Sequence, residues 1–267
     1  MAIINHAPAR PLALVTGASA GIGAELAREL AGHGHDLVLT ARRVAPMQAL
    51  ADELGRTGAE ATVIACDLSR PGAALALAED LAGRGLEIDV LINNAGLGAA
   101  GRFARMDPGR LGEMLQVNVV ALTELTRLLL PGMVDRGYGR ILLVASVAGF
   151  QPGPHMAAYF ASKAYVLSLG EALAYELRGT GVTVTTLCPG ATATEFFQIA
   201  GTEKSIMARR LRRMMPAADV ARLAYRGLAA GRRVVITGAM NRVTALAGRY
   251  APRPVVLPLT ALLMKED

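Results

Sequence analysis

Hydrophobic positions along the chain alternate between two kinds of stretch. Short runs of apolar and β-branched residues, typical of buried strands, cover residues 12–16, 36–40, 61–65, 90–92, 141–145, 182–187 and 234–237. Between them, apolar residues recur at helical spacing, over residues 24–31, 45–54, 71–83, 111–133 and from about 159 to 177. This alternation predicts one α/β domain, with a doubly wound parallel seven-stranded sheet and helices on both faces.

A glycine-rich turn separates the first predicted strand from the first predicted helix. Its residues read TGASAGIG, which places Gly17, Gly21 and Gly23 in a T-G-x-x-x-G-x-G spacing. Gly17 can form the tight turn, Gly21 lets the backbone approach a pyrophosphate, and Gly23 allows close helix–strand packing. The phosphate charge would rest on the helix N-terminus. Either this is a plain turn or, as the flanking strand and helix favour, a dinucleotide site. Its other predicted contacts are Ser19, Ala20 and Ile22.

The second predicted strand ends next to two arginines. An acid at this point would bind the ribose 2′-hydroxyl of NAD, whereas arginine accommodates the 2′-phosphate of NADP. The strand ends in Thr40 and Ala41, neither of which is acidic, and Arg42 and Arg43 follow. We therefore expect NADP(H) to be preferred, with NAD(H) possible; a pair of exposed loop arginines is the alternative.

Other polar and small residues also follow predicted strands directly. Asp67 could accept a hydrogen bond from an adenine amino group or could cap the following helix, and both interpretations stay open. The carboxyl ends of parallel strands share one edge of the sheet, where ligands bind. The further cofactor contacts predicted there are Leu68, Asn94, Ala95, Gly96, Pro189, Gly190, Thr192 and Thr194.

The chemistry-bearing residues come later in the chain. Tyr159 and Lys163 are four positions apart and share one face of a predicted helix. We expect the ammonium to lower the pKa of the phenol, which suits a general acid or base. Ser146 ends a strand and could hydrogen-bond a substrate oxygen. Asn118 is a poor interior helix residue, which indicates a buried role or a local distortion. Taken alone, a tyrosine and lysine at this spacing are more often ordinary packed and solvated side chains.

These motifs together, in this order and spacing, resemble the short-chain dehydrogenase/reductase family over residues 12–238. The resemblance implies a single-domain Rossmann fold and a catalytic tetrad of Asn118, Ser146, Tyr159 and Lys163. Tyr159 would exchange the proton of the carbonyl oxygen, and Ser146 would hold that oxygen. Lys163 would lower the tyrosine pKa and, like Tyr159, contact the cofactor. Asn118 would hold a water that links Lys163 to solvent.

The function implied by this resemblance is NADPH-dependent reduction of a ketone or aldehyde, or the reverse oxidation of a secondary alcohol. Two alternatives are an NAD-dependent alcohol dehydrogenase and a catalytically silent dinucleotide-binding regulator. A sugar-nucleotide epimerase would usually have a longer substrate domain and a different glycine loop. Two positions depart from the family pattern: Ala20 replaces the basic residue of some NADPH-using relatives, and Thr192 replaces an aliphatic residue.

Composition and charge narrow the possible partners. The 267 residues are 52% hydrophobic, which is ample for one core. The net charge of +6 arises in residues 204–253, which hold twelve Lys or Arg and one acid. This indicates either a solvated arginine-rich face or an anionic partner. No nucleic-acid motif accompanies the charge, so we expect no nucleic-acid binding.

The cysteines and histidines indicate neither disulfides nor a metal. Cys66 and Cys188 are isolated, and none of the four histidines has zinc-ligand spacing. The N-terminus lacks a signal-peptide pattern, and no run of about 18 uninterrupted apolar residues occurs. We therefore expect a cytoplasmic protein with no metal.

Two segments outside the motifs are expected to concern the substrate and partners. A lid over the substrate is predicted at about residues 195–215. Its methionines, together with Phe196 and Phe197, favour an apolar ketone or alcohol as the substrate. A further hypothesis is that this substrate has a negatively charged tail that faces the four arginines of the segment. Residues 239–267 form a C-terminal extension with an apolar stretch at 254–264. A lid, a subunit contact and a membrane-surface contact are all open for that stretch, and we favour a contact in a homodimer or homotetramer.

Overall fold

The predicted strands all occur in a computed structural model of the chain, which describes residues 8–196 and 214–264. Six strands precede residue 190: β1 Leu12–Thr16, β2 Asp36–Ala41, β3 Ala61–Ala65, β4 Val90–Asn93, β5 Gly139–Val144 and β6 Val182–Cys188. Three follow: β7 Thr192–Ala193, β8 Met215–Pro216 and β9 Val234–Ile236. The main sheet is parallel throughout, in the order β3-β2-β1-β4-β5-β6-β9, while β7 and β8 pair separately.

Helices connect the strands of the main sheet or follow its last strand, β9. They are α1 Gly21–Gly32, α2 Val44–Gly55, α3 Ala73–Gly83, α4 Pro108–Leu115, α5 Leu122–Asp135, α6 Ala157–Glu176, α7 Ala217–Ala229, α8 Ala239–Tyr250 and α9 Arg253–Met264. One face of the sheet packs against α1, α2 and α7, and the other against α3, α5 and α6. The predicted doubly wound sheet is confirmed. The chain passes from β1 through β2 to β3 on one side, and then crosses back to place β4 on the other side of β1. A crevice therefore opens at the carboxyl ends of β1 and β4.

The helix predicted over residues 111–133 is three segments. Between α4 and α5 the backbone forms a π-helix, Gln116–Ala121, which contains the fully buried Asn118. The whole stretch Pro108–Asp135 is long and apolar enough to span a bilayer by length and composition alone. In this fold it packs against α3, β5 and α6, so its apolar face belongs to the core.

The C-terminal extension adds two helices to which the sequence analysis assigned no structure. Helix α8 packs on a short 3-10 helix, Val147–Phe150, that follows β5. Helix α9 buries Val256, Thr260 and Met264, and Met264 joins the cluster around Tyr159. The extension therefore forms part of the wall beside the predicted active site.

Candidate active site

A cavity of about 590 Å³ lies at the carboxyl ends of the strands. It brings together predicted residues from well-separated parts of the chain. Its lining includes Gly17, Ser19, Ala20, Gly21, Ile22, Arg42, Arg43, Asp67, Leu68, Asn94, Ala95, Gly96, Ser146, Tyr159, Lys163, Pro189, Gly190, Thr192 and Thr194. Two predicted contacts, Gly23 and Asn118, are absent from this lining because they lie behind the wall, where each packs against other protein atoms.

Two positions of the glycine loop require glycine, one because of its backbone conformation and the other because of the space around it. Gly17 has a φ of +67° and donates its N–H to the carbonyl of Thr40 at 2.8 Å. A Cβ at Gly23 would collide with the Gly17 carbonyl oxygen and with the Asn94 side chain. Helix α1 can therefore start directly against β1, with its first turn facing the cavity.

Thr16 ties this loop to the neighbouring strand end, a role that the sequence analysis did not assign. Its hydroxyl accepts hydrogen bonds from the backbone N–H groups of Asn94 and Ala95, both at 3.0 Å, and donates to Ile92 O at 3.1 Å. The Asn94 side chain donates back to Thr16 O at 2.9 Å. A hydroxyl residue at the end of β1 was the available sequence signal.

The two arginines after β2 line the cavity with different neighbours. Arg43 Nη2 lies 2.8 Å from Glu195 Oε2 and 3.4 Å from Ser19 Oγ. Arg42 lies near Asp67. Burial disfavours the charged form of Asp67, but hydrogen bonds from Ser69 and the charges of Arg42 and Arg70 hold its pKa below the ordinary value.

Asp67 itself closes a turn and does not cap a helix. Its Oδ1 accepts from the N–H and hydroxyl of Ser69, at 3.1 and 2.7 Å. Helix α3 begins at Ala73, with Gly72 at its N-cap, so the interpretation of Asp67 as the cap of this helix is wrong. The carboxylate still faces the cavity, where it can accept a further hydrogen bond.

Tyr159 is buried at the centre of the cavity wall. Burial raises the pKa of its phenol to about 12, and a hydrogen bond with Ser146 opposes this only in part. The expectation that Lys163 lowers this pKa is not met. The Lys163 Nζ lies 5.9 Å from the centre of the tyrosine ring and donates to Val144 O at 2.8 Å. The phenol is therefore protonated at neutral pH.

Lys163 is also buried, and its pKa is lowered to about 8 by that burial. An electrostatic interaction with Cys188 opposes this lowering of the lysine pKa only in part. Burial of the Lys163 ammonium group costs free energy. Its hydrogen bond to the Val144 carbonyl and its access to the cavity offset part of this cost.

Asn118 connects the π-helix to the loop after β4. Its Oδ1 accepts from Leu97 N at 2.8 Å, and its Nδ2 donates to Leu97 O at 2.9 Å and to Ser162 Oγ at 3.1 Å. A Cβ on Gly96 would lie 3.5 Å from both Asn118 Oδ1 and Lys163 Nζ. The widened turn of the π-helix thus places the side-chain amide of Asn118 between the loop after β4 and helix α6. This is the local distortion predicted at Asn118.

The end of the cavity beside Tyr159 is mainly apolar. The Phe196 ring lies 5.3 Å from the Tyr159 ring, centroid to centroid. Apolar side chains from several elements share this wall: Val147, Met156, Phe160, Met240, Leu263 and Met264. Three polar side chains interrupt it, Gln151, Asn241 and Thr244. Apart from Phe196, none of these side chains is predicted from the sequence as a site residue. The reason is that their place beside Tyr159 depends on where the C-terminal helices pack. Most of the predicted lid, including Phe197, lies outside the described residues.

The residues on the opposite side of Tyr159 fit a dinucleotide. The glycine loop provides a backbone cradle, and the first turn of α1 contains no acid that would repel a phosphate. Arginines stand at the end expected for a ribose phosphate, and Lys163 and Tyr159 stand at the other end. Such a group would therefore extend from the arginines to the buried phenol.

Known proteins are similar to this chain in both sequence and structure. A family model described as short chain dehydrogenase matches residues 11–205. Ketoacyl reductase HetN of Nostoc sp. is 38% identical over 180 residues, which are 66% of this chain and 62% of that protein. A short-chain dehydrogenase from Sphingobium yanoikuyae in complex with NADPH is 35% identical, with a TM-score of 0.79 over 89% of this chain and 92% of that one. The bulky-bulky ketone specific alcohol dehydrogenase from Comamonas testosteroni is 31% identical, with a TM-score of 0.75 over 90% and 92%.

Proposed function

Since the chain belongs to the short-chain dehydrogenase/reductase family, which comprises NAD(P)-dependent oxidoreductases acting on CH–OH groups, we propose that it is a carbonyl reductase. It reduces a bulky apolar ketone or aldehyde with NADPH, or oxidises the corresponding secondary alcohol. The observation that carries this proposal is a buried, protonated phenol, Tyr159, between a dinucleotide-shaped cradle and an apolar chamber. A regulator without chemistry has no use for that arrangement.

In this proposal the chain's residues position the substrate oxygen and supply its proton. NADPH, when bound, supplies the hydride. Tyr159 donates its hydroxyl proton to the carbonyl oxygen, and Ser146 donates a second hydrogen bond to the same oxygen. Lys163 would bind the ribose hydroxyls of the cofactor from its buried position, where its Nζ is held by Val144 O. Asn118 acts from behind by fixing the loop at Leu97.

The preference for NADP(H) rests on Arg42 and Arg43. Both line the cavity at the end of β2, where a 2′-phosphate would lie, and no acid occupies that strand end. The NADPH complex of the Sphingobium relative supports the same choice. The remaining cofactor contacts are the glycine loop, Asp67, Leu68, the 94–96 loop and the segment from Pro189 to Thr194.

The substrate class is inferred from the chamber beside Tyr159. Its wall of methionine, leucine and phenylalanine side chains suits bulky apolar substituents on the carbonyl. The ketoacyl and bulky-ketone relatives support this class. Phe196, the second residue of the predicted lid, already contacts the tyrosine ring.

The test is a fluorescence titration of the purified protein with NADPH and NADH, followed by turnover of a ketone panel graded by bulk. Tighter binding of NADPH and faster turnover of ketones with two bulky apolar substituents support the proposal. Equal or tighter binding of NADH would overturn the cofactor preference. Fast turnover confined to small or charged carbonyls would overturn the substrate class.

We further propose a cytoplasmic homodimer or homotetramer. The free cysteines Cys66 and Cys188 suit a reducing compartment. On the outer faces of α5 and α6, Leu128, Tyr165 and Tyr175 are exposed, which supports a subunit contact there. The mass of the purified protein by analytical ultracentrifugation tests this directly: a monomer would contradict it.

A further inference from the structure

The outer surface of the C-terminal helices is unusually apolar for an exposed surface. Sixteen large apolar side chains are exposed in the described part of the chain, and eight of them lie on α8 and α9. On α8 these are Met240, Val243, Leu246 and Tyr250, and on α9 they are Val255, Leu257, Leu259 and Leu262. We call this set the outer face. Because the other eight are scattered over about eight times as much of the described chain, the concentration here indicates a surface that contacts something apolar.

The spacing of these residues shows that the outer face is separate from the side that packs on the protein. Val255, Leu259 and Leu262 recur at helical spacing on one side of α9, while Val256 and Thr260 are buried on another. On α8 the exposed apolar side chains also recur at helical spacing on one side, while Ala245 and Gly248 are buried on the other. Both helices are thus apolar on two sides, and packing against the domain accounts for only one.

The charged side chains on the two helices themselves are all positive. Helices α8 and α9 carry three arginines, Arg242, Arg249 and Arg253, and no acid. Arg249 is paired with α6, since its Nη1 lies 3.9 Å from Oε1 of Glu171. Two copies of this surface placed against each other would bring like charges together. Anionic headgroups would instead offset the arginines, whose long stems let the charge reach headgroup level.

We propose that the outer face docks on the surface of a membrane that contains anionic lipid. Two twelve-residue helices are too short to span a bilayer, but lying in the interface they would bury their leucines while the arginines stay at headgroup level. The sequence alone favoured a subunit contact for residues 254–264; the one-sided charge favours lipid.

The position of the cavity gives this docking a use. Met240 is 76% exposed on the outer face and also lines the cavity, and Leu263 and Met264 at the end of α9 line it from the inner side. A membrane-dissolved ketone could therefore enter beside α8 and α9 without crossing water. This use rests on the proposed apolar substrate, whereas the docking itself does not.

The test is co-sedimentation of the full chain with phosphatidylcholine vesicles, with and without phosphatidylglycerol, at low and high salt. We expect binding to the anionic vesicles that weakens at high salt. The double variant Leu259→Gln/Leu262→Gln should lower this partitioning about tenfold. Leu75→Gln, which changes a comparably exposed leucine on α3, is the matched control and should bind as the wild type does. Arg242→Gln/Arg249→Gln should remove the preference for anionic vesicles.

Three outcomes would overturn the proposal. The first is that the wild type binds no vesicles, and the second is that the double variant binds vesicles as well as the Leu75→Gln control does. The third is that Leu259→Gln/Leu262→Gln leaves vesicle binding unchanged but lowers the oligomeric mass, which would make the outer face a subunit contact. Thermal melts of each variant establish that it is folded. Since vesicle binding requires no turnover, its failure would leave the proposed reductase activity intact, and the reverse also holds.

Discussion

Arg43 and Glu195, 152 positions apart in sequence, form an ion pair with 2.8 Å between Nη2 and Oε2. Both side chains are about half exposed. The arginine proposed to bind the 2′-phosphate is therefore held by the first residue of the predicted lid segment. A phosphate at this site would compete with the carboxylate for the same guanidinium.

Glu195→Gln should tighten NADPH binding about two- to fivefold and leave NADH binding unchanged, because it removes a competitor and a like charge near the phosphate. Titration of both cofactors by fluorescence measures the effect. In an Arg43→Gln background the Glu195→Gln change should have a smaller effect on NADPH, because only the like charge is then removed. If Glu195→Gln shifted both cofactors equally, the pair would have no part in cofactor choice.

Gly23→Ala should weaken NADPH binding more than tenfold and lower the free energy of unfolding by about 2 kcal/mol. The reason is that the added Cβ meets the Gly17 carbonyl and the Asn94 side chain, both of them parts of the cradle. Gly32→Ala is the matched control on the same helix, since its Cβ would meet nothing within 4 Å. It should stabilise the protein by up to about 1 kcal/mol. Normal cofactor binding by Gly23→Ala would contradict this account of the loop.

Lys163 should make the protein more stable as pH rises through a defined window. Its pKa is about 8 in the folded protein and 10.5 ordinarily. Between these values the unfolded chain binds more protons, so stability rises with pH there, and the burial cost is fully present below pH 8. Relative to Lys163→Met, the wild type should gain about 2 kcal/mol in unfolding free energy between about pH 7 and pH 10.

Urea denaturation of wild type and Lys163→Met at both pH values measures this gain. Ser162→Ala changes a neighbouring buried residue that does not titrate, so its difference from the wild type should stay constant with pH. If the difference in unfolding free energy between wild type and Lys163→Met stayed constant with pH, the pKa of Lys163 would not be lowered in the folded protein.

The sequence predicts the sheet closely because buried parallel strands are continuous apolar runs. The strands at residues 12–16 and 61–65 have the predicted bounds, and the other strands of the main sheet differ by one or two residues at either end. The residues at strand ends are also placed well, since parallel topology brings those ends together. The predicted distortion at Asn118 is confirmed as a π-helix.

Other features depend on contacts that the sequence does not encode locally. The pKa of Tyr159 follows from burial by Phe160, Phe196 and the C-terminal helices, which a tyrosine–lysine spacing cannot express. The Arg43–Glu195 pair joins distant segments. Helix α9 contains Pro258 and is apolar on two sides, so its sequence indicates no single buried face and no helix is predicted there.

The most direct test of the account is the turnover of Tyr159→Phe with NADPH and the best ketone of the panel. Removal of the proton donor should lower kcat about a thousandfold while NADPH binding stays at the wild-type level. Tyr165→Phe, which removes an exposed hydroxyl on the same helix, is the matched control and should retain full turnover. If Tyr159→Phe kept turnover within a few-fold of wild type, the buried phenol would not be the proton donor and the proposed mechanism would be wrong.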